Sequence, residues 1–210
     1  MLLVHSDNEA GSLHIIKVFM TPHITQDVIE HIAPREVIMQ AWNAVVAGLQ
    51  YCTQDTARAR WARQSWFGKH MESSPELLAR LTLLQNFVNS TKPLTIAFDP
   101  LANIPTAIAY TYSRRLDDPL RVPAIYLTKK FCTAQTNDRV KYLMKNRNNN
   151  GVQIIALAHE LSHLVIGTNR KTGNYSAEKY AHEAKNLRDK DPQYALHNAD
   201  NYGFCIEMCS

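Results

Sequence analysis

The sequence predicts an α+β protein, mostly helical with a small sheet of three or more strands, and three observations carry that expectation. Apolar residues recur at helical spacing over much of the stretch from Pro34 to Val88. Short β-rich runs separated by proline and aspartate occupy about residues 94–128. A further apolar helix, Val152 to Ile166, follows them and ends at a glycine.

The first 30 or so residues lack periodicity and read as an irregular lead-in, residues 1–33, ahead of a single domain at 34–210. Pro34 suits the first turn of a helix whose apolar positions are Val37, Ile38, Ala41, Trp42, Val45 and Leu49. A second helix spans Ala57 to Trp66. Ser73-Ser74-Pro75-Glu76 supplies an N-cap, a first-turn proline and a favourable charge for a third, through Leu77, Leu81, Leu84 and Val88. The runs Leu94–Phe98, Ala107–Tyr112 and Ala124–Leu127 then read as three strands of one sheet. Asn146 to Asn150 and Gly151 form a break in which Asn149 or Asn150 caps the next helix. In that helix Ile154, Leu157, Ala158, Leu161, Leu164 and Val165 make one buried face, and Gly167 is its C′ residue.

Composition narrows function by exclusion. At 210 residues with 45% hydrophobic and 20% charged residues, the chain matches ordinary globular proteins rather than disordered or fibrous ones. The net charge of +4 is modest, and the densest basic run, Arg58 to Arg63, reads as a solvated helix face, so no nucleic-acid partner is expected. No stretch is long and apolar enough to span a membrane, and the start is too short and polar for a signal peptide. Cys52, Cys132, Cys205 and Cys209 suit two disulfides or buried thiols; Cys205 and Cys209 lack a second close pair, so no cysteine zinc site is expected.

The chemistry sits in His159-Glu160-Leu161-Ser162-His163. Histidines four apart on a helix lie on one side, one turn apart, where two imidazole nitrogens can reach one zinc ion. Glu160 is carried one step round, placed to take a proton from water and return it to a leaving amine. A catalytic zinc needs a third protein ligand. His182-Glu183 has Asn186 where a second copy of the motif needs histidine.

Together with this helix, the run Asp191 to Tyr202, above all Asn198-Ala199-Asp200-Asn201-Tyr202, resembles the aspzincin metalloendopeptidases, the deuterolysin and lysine-specific metalloendopeptidase group. Trp66-Phe67-Gly68 and Ala124–Leu127 with Phe131 extend the resemblance over about residues 40–205. It implies a zincin-like fold with a His-Glu-x-x-His active-site helix, one zinc per chain and a polypeptide substrate. The family follows its metal helix with Gly-Thr-x-Asp-x-x-Tyr-Gly; here only Gly167-Thr168 matches, and Asn169 to Tyr180 holds no aspartate. The resemblance favours Asp200 as third ligand, with Glu178 its rival and His182 also chemically competent. Asp200 has an alternative task, orienting a ligand histidine. Tyr180 is expected beside the reacting carbonyl as an oxyanion donor, with Tyr202 the neighbouring alternative; either also suits a core aromatic with a polar tip, Tyr202 above all. Glu178 and His182 are placed on a helix beginning near Ser176. Gly203 stands where lysine-specific relatives carry an acid, so lysine specificity is not expected.

The leading reading is a monomeric zinc endopeptidase with Glu160 as general base, secreted or translocated into a target cell as an effector or toxin. Two others are a degenerate zincin that only binds, and a zinc hydrolase of a non-protein amide.

Overall fold

A computed structural model of the protein describes residues 20–98, 107–111, 122–133, 150–168 and 178–210. Residues 1–19, the asparagine run before residue 150 and the altered segment 169–177 lie outside the described residues. The described part is mostly helical with a small mixed sheet of four strands.

The helices the sequence predicts form where local signals are strongest. Helices α2 (Arg35–Cys52), α3 (Ala57–Phe67) and α4 (Pro75–Val88) follow the expected order. Ser74 caps α4 by accepting from the Leu77 amide, and Thr56 caps α3 by accepting from the Ala59 amide. Pro34 differs slightly: its extended ψ of 144° makes it the residue before α2 rather than part of the first turn. The described part of the expected lead-in is not irregular, for it holds strand β1 (His23–Ile24) and helix α1 (Gln26–His31). Neither carries a sequence period, because each is too short to show one and is held by neighbours. The His23 amide donates to Leu94, and Trp42 Nε1 donates to the Met20 carbonyl.

The sheet runs β1-β2-β4-β3, with β2 Thr95–Phe98, β3 Ala109–Tyr110 and β4 Ala124–Leu127. The first three are parallel and β3 is antiparallel to β4 at the edge, where Tyr110 stacks on Tyr126 with ring centres 5.3 Å apart. The short helix α5 (Lys130–Thr133) follows β4. Beyond the sheet come α6 (Gly151–Ile166), α7 (His182–Lys190), α8 (Pro192–Ala195) and α9 (Ala199–Cys209). Among the described residues no helix is long and apolar enough to cross a membrane.

Every residue of α9 is buried, which makes it the centre of the helical layer, packed between α6 and α2. Glycine permits both contacts. A Cβ at Gly203 would stand 2.9 Å from the Ile155 carbonyl of α6, and one at Gly48 of α2 would overlap the Ile206 carbonyl. Gly48→Ala gains up to about 1 kcal/mol of helix propensity, but overpacking costs about 1–3 kcal/mol. A melting temperature lowered by a few degrees is therefore expected. A thermal melt showing Gly48→Ala equal to or above wild type would refute this packing.

Candidate metal centre

His159, Glu160 and His163 lie on α6 as the spacing predicts, and α6 ends at Gly167 in the left-handed conformation, φ 66°. That turn folds Thr168 back on the helix. The His163 Nδ1 lies 2.8 Å from the Thr168 carbonyl, while Thr168 Oγ1 is 2.8 Å from Ser162 Oγ. A carbonyl can only accept, so His163 carries its proton on Nδ1 and leaves Nε2 free to ligate.

His159 is arranged the same way by a different partner. Its Nδ1 is 2.6 Å from Asp200 Oδ1, near the start of α9. Both Nε2 atoms therefore face away from these partners and stand 3.1 Å apart. Glu178 Oε1 completes the group, 2.9 Å from His159 Nε2 and 3.2 Å from His163 Nε2. Among the described residues His159, His163 and Glu178 form a metal-competent cluster, their ligand atoms within 4.8 Å of one another.

Glu178 does not sit in a helix beginning near Ser176, itself outside the described residues. It stands in a non-helical stretch, 178–180, ahead of α7. The aspzincin-like run at 198–201 holds that stretch. Asn198 Oδ1 accepts from the Lys179 amide, its Nδ2 donates to the Lys179 carbonyl, and Asp200 Oδ2 accepts from the Ala181 amide at 2.6 Å. Ala181 has φ 44°, a strained value for a residue with a Cβ, which the Asp200 contact sustains. Asn201 ties the same turn to α3 and α7 by donating to the Trp66 and Ala184 carbonyls. The sequence reading passed over Asn198 and Asn201 as working residues; two side-chain amides flanking an aspartate in a buried segment were the available signal.

The remaining expected residues separate clearly. Glu160 is 6% exposed, and its Oε1 lies 3.8 Å from His159 Nε2. Tyr180 donates its hydroxyl to Glu178 Oε2 at 2.6 Å, and its ring lies parallel to that of His159. Tyr202 is fully buried and donates to the Leu196 carbonyl, so it serves the core. His182 opens α7 and does not line the cleft. The cleft is about 600 Å³, bounded on one side by residues 107–111 of the β3 edge and on another by Glu178 to Ala181.

Electrostatics follow from this geometry. Burial alone lowers the His159 pKa, but Asp200, Glu178 and Glu160 together hold it well above its ordinary value. Burial alone raises Glu178, and the two imidazoles outweigh it, holding that carboxyl well below the usual range. Glu160 is raised by burial. Tyr180 is raised by burial and by the Glu178 charge, so the phenol remains a proton donor.

The donor set fits a divalent cation on one further observation. Glu178 Oε1 is buried and meets the two Nε2 atoms with no well-directed hydrogen bond to either. Two imidazole nitrogens and a carboxylate oxygen turned to one point are a donor set that one shared cation would satisfy in place of ring protons.

No family model matches the chain. A curated relative, the peptidyl-Lys metalloendopeptidase of Grifola frondosa, is 27% identical over 97% of this chain and 53% of its own length, so the chain spans about half of that relative. Among solved structures, the zinc peptidase from Grifola frondosa aligns with a TM-score of 0.50 at 23% identity, over 81% of this chain and 90% of that one. The second likeness concerns the fold alone. In sequence and in fold, then, this chain resembles the aspzincin metalloendopeptidases.

Proposed function

We propose that the chain is a zinc-dependent endopeptidase in which His159, His163 and Glu178 hold one zinc ion and Glu160 is the general base. The observation that carries the reading is the convergence of His159 Nε2, His163 Nε2 and Glu178 Oε1, with Glu160 beside them. In this reading the rivals exchange the roles that the sequence favours. Asp200 meets Nδ1, the wrong side of the ring for the shared ion, and acts by fixing the His159 tautomer. Glu178 meets both Nε2 atoms.

Zinc, when bound, supplies Lewis-acid polarisation of the scissile carbonyl and activation of water. Glu160 takes the water proton and passes it to the departing amine, a task suited to a carboxyl whose affinity for protons burial has raised. Tyr180 holds Glu178 in the resting site and offers a hydroxyl to the developing oxyanion. The β3 edge can take an extended peptide as an added strand, giving affinity through main-chain hydrogen bonds for a general polypeptide substrate. No lysine preference is proposed. Gly203 stands where the resemblance places an acid in lysine-specific relatives, and a side chain there would have no room against the Ile155 carbonyl.

The test is zinc content of the purified chain, paired with mass-spectrometric cleavage of a mixed peptide library before and after chelation. One zinc per chain, with cuts that vanish on chelation and return with zinc, is the expected result. Full zinc without cuts moves the reading to a non-protein amide. Neither zinc nor cuts leaves the degenerate binder.

A further inference from the structure

A second cluster lies on another side of α9. Cys52 is the last residue of α2, and Cys205 and Cys209 occupy successive turns of α9. All three are buried free thiols, and their sulfurs lie within 4.8 Å of one another, Cys52 and Cys205 at 3.8 Å. Metal–sulfur bonds of about 2.3 Å place sulfurs about 4 Å apart around one ion, whereas a disulfide needs about 2.05 Å. The three side chains already stand at ligand spacing.

Two arginines stand beside the cluster. Arg63 is 1% exposed, and its guanidinium donates to the carbonyls of Cys52, Gln54 and Glu72. Among the described residues it makes no ion pair. The charges of both arginines reach Cys209, and Arg58 is bonded to the Met208 and Ser210 main-chain oxygens; without an ion the Cys52 thiol is held well above its ordinary range by burial and Cys205 by the neighbouring Cys209.

We propose that Cys52, Cys205 and Cys209 form a second metal centre, separate from the histidine cluster, that binds Cu(I) through three thiolates. Sulfur-only donors favour a soft ion. A zinc ion would want a fourth ligand, and among the described residues no other His, Cys, Asp or Glu joins the group. Nor is water well placed to fill that position, because Cys52 and Cys205 are fully buried. Each thiol that becomes a ligand releases its proton to solvent.

The experiment uses the full chain, reduced and kept anaerobic, carrying His159→Ala and His163→Ala so that the other cluster binds no metal. Cu(I) is titrated in competition with bicinchoninate, following bound copper and the sulfur-to-copper absorption in the near ultraviolet. One Cu(I) per chain is expected to survive the competitor. Cys205→Ser should weaken binding by at least about 10-fold, the least that even an outer partner of a metal is typically worth, while exposed Cys132→Ser should not change it. If circular dichroism shows that Cys205→Ser does not fold, Cys209→Ser, at the 4% exposed edge of the cluster, reads the same effect. Loss of all copper to the competitor, or undiminished binding in the folded cysteine variant, overturns the proposal. So does a Cys52 to Cys205 disulfide in the chain as isolated, detected by non-reducing peptide mapping.

Discussion

Glu160→Gln is expected to keep one zinc per chain while peptide hydrolysis falls by about 100- to 10,000-fold, the usual worth of a positioned general base. The substitution preserves shape and removes only the proton acceptor. Glu160 is absent from the three-atom cluster of His159, His163 and Glu178, so metal affinity has no reason to collapse with activity. Zinc analysis beside turnover of a peptide cut by wild type separates the two quantities. Hydrolysis undiminished in Glu160→Gln would remove Glu160 from the mechanism, and zinc lost along with activity would make it a ligand.

The second large effect is a contrast between two carboxylates. Asp200→Asn should weaken zinc binding by about 10- to 100-fold, as expected for a group that acts through a ligand histidine. Glu178→Ala should weaken it further, because it removes a ligand atom outright. Competition of each variant against a zinc chelator gives the ranking, with a thermal melt beside it because Asp200 also holds the Ala181 amide. Greater zinc loss in a folded Asp200→Asn than in Glu178→Ala would return Asp200 to the ligand position.

What could be read from the sequence was whatever is decided within a few residues. The Ser74 cap, the first-turn Pro75 and the glycine stop at Gly167 each act locally, and α4 and α6 appear within a residue of their expected limits. The β4 strand matches its apolar run, Ala124–Leu127. Placing two histidines and Glu160 on one helix was equally local. Ranking Asp200 against Glu178 was not, since both offer the same carboxylate and differ only in which imidazole nitrogen they meet. The cysteine cluster was further out of reach: the sequence offers only the pair on α9, and its third member is 153 residues away from Cys205. For β1 and α1 the deciding contacts, with Leu94 and Ile96, likewise lie far along the chain.

The backbone clamp on residues 179–181 has a consequence for how the cleft can move. Three of its main-chain groups are tied to Asn198 and Asp200 on a buried part of the molecule. Ordering a residue costs about 1–2 kcal/mol of entropy, and here that cost is met by folding, before any ion or guest arrives. Glu178 is thus presented beside backbone that folding has already ordered, so the carboxylate meets a guest from a main chain held in place on its C-terminal side.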